Sequence, residues 1–402
     1  MKFFHTADWH LGKLVQNVYM TEDQQYILER FLRDIESEKP DAVVIAGDLY
    51  DRAVPPTDAV QLLDRTLKTI VLDLKTPVLA VSGNHDSPSR LQFGSRIMEA
   101  AGLHLAGEFA YPFKQAALED EFGPVYFHLV PYADPSAVRQ TLQDADIGSH
   151  DEAMKAIVGR IRETLRPGTR NVFVGHAFVT PRGEAEPNTS DSERPLAVGG
   201  AEHVSAAHFA GFHYTALGHL HQAHSVGRDT IQYAGSPLKY SVSEEFHKKG
   251  YLVVRMDGEG RTTVEKRQLV PRRDMRSVEG YIEEIERREK NEDYVFVRLL
   301  DRHPVMSPME RIRAVYPNAM HVERKDAWIG LGAEAEVAAG AEGSKAGMDM
   351  LSLFRTFYKE AKGEEASEET EALLLTVLRE IDREEGERVE TDSAHDDGVR
   401  AV

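Results

Sequence analysis

Residues 77–86 have the sequence PVLAVSGNHD, in which an apolar run stops at four residues that rarely belong in a hydrophobic core. The apolar run predicts a buried β-strand over residues 78–82. The Gly-Asn-His-Asp segment at 83–86 suits a turn, since glycine and asparagine tolerate positive φ, but its side chains could equally be directed at a ligand. Neighbouring segments decide between these two interpretations if they repeat the pattern.

The first hundred residues alternate between short β-branched runs and helical patterns. Such alternation predicts βαβ units, whose parallel strands are buried on both faces. Predicted strands cover residues 2–7, 42–46 and 78–82, and predicted helices cover 21–37 and 57–74.

Each of these strands runs into a polar cluster, and two later apolar strands do the same. In open α/β sheets the ligand binds beyond the carboxyl ends of the strands, so we expect the clusters to share one rim of a sheet. In chain order the clusters are Asp8-x-His10, Gly47-Asp48-x-x-Asp51, Gly83-Asn84-His85-Asp86, Gly175-His176 and Gly218-His219-x-His221.

The residue types at this rim suit phosphoester cleavage assisted by two divalent ions. Neutral imidazoles mixed with carboxylates favour manganese, iron or zinc over calcium. Asp8 and His10 are two residues apart, so an extended segment would point both side chains the same way, and the same is expected of His219 and His221. The glycines would let the backbone approach ions or phosphate without a Cβ in the way.

Each motif also has a simpler interpretation. A single Asp-x-His pair is usually a turn with a surface histidine, Gly-Asn-His-Asp is a plausible turn, and His176 alone would be a buried, hydrogen-bonded imidazole. Five such motifs in order, each after a predicted strand, are hard to assign to turns alone. The set therefore favours a shared site.

Composition narrows the class of protein. A chain of 402 residues predicts two or three folding units. It contains no cysteine, which leaves a metal to nitrogen and oxygen ligands. We find no apolar run of eighteen residues and no signal peptide, so we expect no membrane span and a cytoplasmic location.

The formal net charge of −19 is unevenly distributed. Residues 359–402 contain 15 acidic and 6 basic side chains, which leaves −10 on the other 358 residues. The chain therefore lacks the basic bias of proteins that bind DNA mainly by neutralising phosphates. If DNA is the substrate, a local patch, metal ions or a partner must hold it.

The five motifs, in this order, resemble those of the calcineurin-like metallophosphoesterases. More narrowly, the chain resembles the SbcD family, the nuclease subunits of bacterial SbcCD complexes, from residue 1 to about 270 and more loosely to about 385. The segments that carry this resemblance are HTADWHLG (5–12), GDLYDRAVPP (47–56), SERPLAVGG (192–200), YTALGHLHQ (214–222) and YAGSPLKYSVSEE (233–245).

The resemblance implies an α/β calcineurin-like sandwich core with a small α/β capping domain and C-terminal helices that dock a partner. It also implies two divalent ions, above all Mn²⁺, with His85 facing the scissile phosphate and helping to protonate the leaving oxygen. For Asp51 a contact to His85 and a plain surface carboxylate both remain open, and Asp86 is expected to brace the loop. The implied ligands are Asp8, His10 and His221 for one ion, Asp48 as the bridge, and Asn84, His176 and His219 for the other.

The activity implied is that of an ATP-dependent double-strand 3′→5′ exonuclease and single-strand or hairpin endonuclease in DNA repair, recombination and replication. The sequence contains no G-x-x-x-x-G-K-[ST] motif, so ATP dependence must come from a partner. The resemblance implies an SbcC-type ATPase gripped at the base of its coiled coil, DNA ends and hairpins as substrates, and a homodimer within a heterotetramer. A generic phosphatase or small-molecule phosphodiesterase, and a scaffold without turnover, remain as alternatives.

The expected domains are a nuclease domain at 1–270, a capping domain at 271–328, a linker at 329–347, a helical SbcC-docking segment at 348–390 and an acidic tail at 391–402. Within the capping domain we predict a helix at 277–289, strands at 294–300 and 319–324, and a capping box at Ser307 followed by proline. The docking segment is predicted from two apolar helical stripes, the second after a cap at Ser367. The stripes are Met350, Leu351, Phe354, Phe357 and Tyr358, then Leu374, Val377, Leu378 and Ile381.

The predicted helices 57–74 and 89–101 carry apolar residues that suit either the core or a homodimer face. Sequence alone does not separate these alternatives. The residues concerned are Leu62, Leu63, Leu67, Ile97 and Met98.

Overall fold

The computed structural model describes most of the first 324 residues and a few positions beyond them. The chain divides into two units, residues 1–326 and 327–402. The predicted linker and most of the two apolar stripes lie outside the described residues. Those described are 1–183, 191, 193, 203–301, 303–324, 354, 355, 358, 366, 367 and 370–374.

Two six-stranded sheets form the body of the first unit. The predicted parallel pairing of the first three strands is confirmed, and the sheet is extended on its other side by two later antiparallel strands. Across the first sheet the strands are Thr262–Gln268, Gly250–Met256, Lys2–Thr6, Ala42–Ala46, Val78–Val81 and Leu103–Ala106. Across the second sheet they are His224–Val226, Arg228–Tyr233, Tyr214–Gly218, Arg170–His176, Gly123–Val130 and Lys114–Asp120.

An apolar layer drawn from both sheets holds them together. Phe3 of the first sheet meets Phe127 and Tyr214 of the second edge to face, with ring centroids 5.5 and 5.6 Å apart. Val44 and Val174 lie in the same fully buried cluster. Since burial of each such side chain contributes about 1.5–3 kcal/mol, this layer fixes one sheet against the other.

Helices cover the outer faces of the two sheets. The helix Thr21–Glu38 buries Ile27, Leu28 and Phe31 against the first sheet. The helix His150–Arg162 packs in the same way against the second sheet. Two short strand pairs join Leu14–Val15 to Val18–Tyr19 and Phe178–Thr180 to His203–Ser205. The remaining helical segments of this body are Thr57–Lys68 with its π-helical continuation Thr69–Asp73, Pro88–Gln92, Ser95–Glu99, Pro135–Leu142, Ala206–Phe209 and Val242–Glu244. None of the helices among the described residues is long and apolar enough to cross a membrane.

The predicted single helix at 89–101 is wrong. It is two short helices, because Gly94 between them adopts a left-handed φ of 73°. Of the residues that suited either core or dimer face, Leu62 and Leu63 are buried core residues and Leu67 packs against that core. Ile97 is 81% exposed and Met98 is 39% exposed.

A small three-stranded parallel sheet follows the body, made of Met275–Gly280, Tyr294–Leu299 and His321–Arg324. The helix predicted at 277–289 is wrong, because residues 275–280 pair with the strand Tyr294–Leu299 and only Ile282–Ile285 is helical. Val278, Ile282 and Ile285 are spaced as on a helix, which explains the error. The helix Pro308–Arg313 begins as predicted, but Ser307 has a left-handed φ of 47° and makes no capping hydrogen bond through its side chain.

Asp23 connects the body to this small sheet. Its buried carboxylate on the helix Thr21–Glu38 accepts a 2.5 Å hydrogen bond from the Tyr294 hydroxyl and lies 3.2 Å from the Arg273 guanidinium. Lys239 adds a second link, since its ammonium lies 2.8 Å from the Asp274 carboxylate.

We expect Asp23→Asn to lower the free energy of unfolding by about 2 kcal/mol, because it removes the charge that the Tyr294 hydroxyl and the partly exposed Arg273 guanidinium face. Urea unfolding measures this loss, and hydrogen exchange should rise at residues 294–299. The matched control is Glu22→Gln, whose exposed pair with Arg272 should contribute less than about 1 kcal/mol. Equal unfolding free energies for the two variants would contradict the role of Asp23.

In the second unit, the described residues show a capped helical turn. Ser367 Oγ accepts from the Thr370 amide at 3.3 Å, as its predicted cap requires. Arg355 makes two 2.6 Å hydrogen bonds to the carboxylate of Glu371, and the rings of Phe354 and Tyr358 lie 5.7 Å apart.

Candidate metal centre

The residues predicted from the five motifs converge at the carboxyl ends of strands from both sheets. The first sheet contributes Asp8, His10, Asp48, Asn84 and His85, each of which follows one of its parallel strands. In the second sheet His176 ends the strand Arg170–His176, and His219 and His221 follow Tyr214–Gly218. All are buried except Asn84 and His85, which are half-buried.

Backbone hydrogen bonds join the first-sheet loops to one another. The Asp8 amide donates to the Gly47 carbonyl at 3.1 Å, and the His10 amide donates to the Asp48 carbonyl at 3.0 Å. The His85 amide donates to the Asp48 carboxylate at 2.9 Å. These hydrogen bonds hold the loops that carry Asp8, Asp48 and His85 against one another.

One group of side chains consists of Asp8, His10 and His221, whose ligand atoms all lie within 4.8 Å of one another. The Nε2 atoms of His10 and His221 face each other at 3.0 Å. These are the three residues expected to hold the first ion.

A second group forms around Asp48. His176 Nε2 lies 3.4 Å from Asp48 Oδ2 and 2.9 Å from Asn84 Oδ1, while the His176 and His219 rings lie 5.4 Å apart. His10 Nε2 is 3.6 Å from the same Asp48 oxygen. Asp48 thus lies between the two groups.

The backbone at the site differs from the extended form assumed for Asp8 and His10. The strand ends at Thr6, and Asp8 and His10 adopt left-handed φ values of 55° and 45°. Asp48 has φ 49° and His219 has φ 108°. Such conformations cost about 1–3 kcal/mol each in non-glycine residues and persist only where the surroundings impose them.

His219 and His221 do not point the same way. His221 faces His10, whereas His219 packs beside His176 and Phe178. The prediction that these two side chains point the same way is therefore wrong, because His219 leaves the strand with a φ that no extended segment has.

Hydrogen bonds orient the imidazoles. His176 Nδ1 lies 3.0 Å from the Ala46 carbonyl, an acceptor that favours the proton on Nδ1, while Nε2 faces Asn84 Oδ1 at 2.9 Å. His221 Nδ1 lies 3.0 Å from the Glu244 carboxylate, and its Nε2 faces His10 Nε2.

Burial sets the protonation states of the site. It lowers the pKa of His176 and His221 to about 4, so both rings are neutral at pH 7. Burial also raises the pKa of Asp48 to about 6, and burial together with the charge of Asp48 raises the pKa of Asp8 well above its usual value. Two buried carboxylates repel each other, and a cation between them offsets that repulsion.

This donor set fits divalent metal ions. Two neutral imidazole nitrogens that face each other at 3.0 Å repel through their lone pairs unless a shared proton or a cation lies between them. Buried carboxylates, imidazoles and one amide oxygen are ligands that manganese, iron and zinc accept. The centre is accordingly a divalent-metal site.

Gly47 and Gly83 are required at this centre. Gly47 has φ 94°, and a Cβ there would overlap the His176 ring. A Cβ on Gly83 would overlap the Asp48 carboxylate. These glycines let the loops of the site pack closely against each other. From the sequence, they were expected to let the backbone approach ions or phosphate.

Asp51 and Asp86 support the loops. The main-chain carbonyl of Asp51 accepts from His85 Nδ1 at 2.8 Å, while its carboxylate lies 2.8 Å from Lys13 and 3.5 Å from His10 Nδ1. The contact to His85 therefore exists through the backbone. The buried Asp86 carboxylate accepts the amides of Leu49, Tyr50 and Gly83, as the expected brace requires.

A buried polar layer lies beneath His10 and His221 and was not predicted from the sequence. Gln24 donates to the His10 carbonyl at 2.7 Å and to the Tyr240 hydroxyl at 3.1 Å. Glu244 and Lys249 contact His221 from below. A signal for Gln24 was present, because it lies on the apolar stripe of its helix with Ile27 and Phe31.

Acid sensitivity should be measurable at His5, which lies outside the site. Burial lowers the pKa of His5 to about 3, and its Nδ1 lies 2.9 Å from the Tyr214 hydroxyl. The unfolded chain takes up this proton near pH 6.5 and the folded chain does not, so stability falls as pH drops below 6.5. With a chelator present, His5→Gln should reduce this slope by one proton, about 1.4 kcal/mol per pH unit between pH 6 and 4. Equal slopes in urea unfolding would refute the assignment.

Comparison with known families gives matches along most of the chain. Residues 1–222 match the calcineurin-like phosphoesterase family, and residues 271–362 match the "Type 5 capsule protein repressor C-terminal domain". Two solved structures are also similar: TT1561 of Thermus thermophilus and a dimetal phosphatase from Danio rerio. They show 12% and 14% identity over 66% and 67% of this chain, and 98% and 96% of theirs. Their TM-scores of 0.37 and 0.39 are too low to support an argument about function.

Curated relatives are much more similar. A protein of Staphylococcus epidermidis, named as the D subunit of the nuclease SbcCD, is 36% identical over 326 residues, which is 80% of this chain and 84% of the relative. A protein of Staphylococcus saprophyticus with the same name is 35% identical over 325 residues, with the same coverage. The chain therefore belongs to the calcineurin-like phosphoesterases and, within them, to the SbcD family of nuclease subunits.

Proposed function

We propose that the chain is the metal-dependent nuclease subunit of an SbcCD-type complex and hydrolyses DNA phosphodiesters at the centre built by both sheets. The observation that carries this proposal is the convergence of Asp8, His10 and His221 with Asp48 and His176, beside one further, half-buried imidazole. That imidazole is His85.

The ligands proposed are those expected from the sequence. Bound there, two divalent ions would supply Lewis-acid stabilisation of the phosphoryl oxygens and an activated water at neutral pH. We propose Mn²⁺, which accepts the carboxylate, amide-oxygen and imidazole ligands that this set combines. One ion is assigned to Asp8, His10 and His221 and the other to Asn84, His176 and His219, with Asp48 between them.

His85 is suited to donate a proton to the leaving oxygen. Its Nδ1 is held by the Asp51 carbonyl at 2.8 Å, and its ring stands edge-on to His10 with centroids 4.7 Å apart. The ring is half-buried, which leaves it accessible to substrate. An imidazolium held in this way through Nδ1–H can give its Nε2 proton to a departing alkoxide and become a neutral imidazole without moving.

The remaining expectations complete the proposal. We propose the domain boundaries expected from the sequence. The capping domain at 271–328 would admit particular DNA shapes, and the segment 348–390 would dock an SbcC-type ATPase. We propose exonuclease and hairpin endonuclease activity in DNA repair, recombination and replication, with a homodimer inside a heterotetramer. The names of the curated relatives, which mention SbcCD, support the partner.

The proposal is tested with the purified full chain and a labelled hairpin DNA in Mn²⁺, with and without its SbcC-type ATPase and ATP. Cleavage is expected only with metal, and ATP should stimulate it only when the partner is present. A chelated sample is the control for metal dependence.

The alternative of a generic phosphatase or small-molecule phosphodiesterase predicts a different result. Such an enzyme would turn over p-nitrophenyl phosphate or its diester but leave hairpin DNA intact, and deletion of residues 348–402 would not affect it. A scaffold without turnover would show no hydrolysis of either substrate, with wild type and His85→Ala alike.

A further inference from the structure

A buried ion pair lies directly beneath His221, in the segment YAGSPLKYSVSEE and just after it. Glu244 is fully buried, and its Oε1 lies 3.0 Å from His221 Nδ1. Its Oε2 lies 2.6 Å from the ammonium of Lys249, itself 5% exposed, and accepts from the Tyr240 amide at 3.2 Å.

We propose that Glu244 is a positioning residue for the nuclease reaction: it holds the proton of His221 on Nδ1, so that Nε2 keeps its lone pair for the metal ion. This inference rests on the proposed function, since it assumes that His221 is a ligand. Neither the family matches nor the names of the relatives assign a role to Glu244.

The two carboxylate oxygens of Glu244 have different partners. An ammonium and a backbone amide can only donate, so both place donors on Oε2. A carboxylate beside an ammonium is ionised and can only accept, so the contact at Oε1 requires the proton to be on His221 Nδ1. His221 Nε2 is then unprotonated where it faces His10.

Lys249 fixes the main chain of the same ligand. Besides the Glu244 carboxylate, its ammonium donates to the His221 carbonyl at 2.8 Å and to Ser236 Oγ at 2.9 Å. Glu244 thus orients the ring of His221 while Lys249 holds its backbone. A carboxylate that accepts from a metal-binding imidazole also raises the basicity of that imidazole.

Glu244→Gln separates positioning from packing. The glutamine has nearly the same shape, but its amide oxygen must take the Oε2 position to accept from Lys249 and Tyr240. Its amide NH₂ then faces His221 Nδ1 and donates to it, which moves the imidazole proton to Nε2. The substitution therefore protonates the nitrogen that the ion requires.

The first measurement needs no metal and no activity. In ¹⁵N-histidine-labelled, metal-free chain, two-bond ¹H–¹⁵N spectra report which ring nitrogen carries the proton, and His221→Asn identifies the resonance. We expect the Nδ1–H form of His221 in the wild type and the Nε2–H form in Glu244→Gln. An unchanged tautomer in the variant, or the Nε2–H form in the wild type, would overturn the proposal.

The second measurement is calorimetric titration of the full chain with Mn²⁺. Glu244→Gln should bind one ion about 10–100-fold more weakly. Glu244→Asp keeps an accepting carboxylate and should retain the Nδ1–H form and recover part of the affinity. The matched control is the neighbouring Glu245→Gln, because Glu245 accepts from the Ser277 amide at 2.7 Å and should leave Mn²⁺ affinity unchanged.

These outcomes separate two kinds of failure. A wild-type chain that binds no Mn²⁺ would refute the metal centre itself. A wild-type chain that binds Mn²⁺ while Glu244→Gln binds it equally well would refute only the role of Glu244. If Glu244→Gln does not fold, Glu244→Asp still decides, since complete loss of Mn²⁺ binding with the Nδ1–H form intact would contradict positioning through the tautomer.

Discussion

Replacing His85 by alanine should lower the rate of DNA cleavage by about 10²–10⁴-fold, the usual contribution of a general acid. Metal binding should stay intact, because His85 is assigned no ion and its ring is held by a carbonyl of the Asp51 main chain. The measurements are single-turnover cleavage of a hairpin in Mn²⁺ and a Mn²⁺ titration of the same preparation.

The leaving group distinguishes proton donation from a general loss of structure. A phosphodiester with a p-nitrophenolate leaving group needs no proton on departure, so His85→Ala should impair its hydrolysis far less than that of DNA. An equal loss on both substrates, or loss of a metal ion, would show that His85 acts in another way. His321→Ala, an exposed histidine of the small sheet, is the control and should cleave at the wild-type rate.

Replacing Asp48 by asparagine should abolish cleavage and weaken binding of both ions. Asp48 lies between the two groups, 3.6 Å from His10 Nε2 and 3.4 Å from His176 Nε2. An amide offers one neutral oxygen where the site needs a charged bridge. Mn²⁺ titration should show the loss of both ions, and hairpin cleavage should fall to the background rate.

The same substitution should stabilise the metal-free chain. Burial raises the pKa of Asp48 from 3.8 to about 6, so above pH 6 the ionised carboxylate costs about 3 kcal/mol of folding free energy, a cost absent below pH 3.8. At pH 8 with a chelator, Asp48→Asn should therefore melt above the wild type. Saturating Mn²⁺ should reverse the order, because only the wild type gains binding energy.

Asp64→Asn, at an exposed position of the helix Thr57–Lys68, is the control and should shift neither melting temperature. A metal-free Asp48→Asn that melts below the wild type would mean that the carboxylate contributes more to loop packing than it costs by burial.

The sequence predicted the sheet and its rim because both follow from local pattern. Apolar runs such as 42–46 and 78–82 are buried on both faces, and each runs straight into polar residues. Where long-range pairing decided the structure, local pattern failed. Residues 275–280 have helical spacing but form a strand because Tyr294–Leu299 lies parallel to them.

The detailed geometry of the centre could not be predicted for a related reason. Left-handed φ at Asp8 and His10 is unfavourable in isolation and is imposed by hydrogen bonds to the loop that carries Asp48. The roles of Glu244 and Lys249 could not be predicted from the sequence, because His221, which both contact, lies more than twenty residues earlier in the chain. A motif indicates that its polar residues belong to a site, but only the three-dimensional structure shows which groups they contact.

The division of the proposed ligands between two sheets has a kinetic consequence. Asp8, Asp48 and Asn84 belong to loops of one sheet, and His176 and His221 to the other, so the full set exists only after the sheets have stacked. Ions that need ligands from both sheets bind only after stacking, so they stabilise the native state and leave the rate of folding unchanged. Bound ions would slow the separation of the two sheets. A chelator should therefore shorten the lifetime of the native state without delaying its formation.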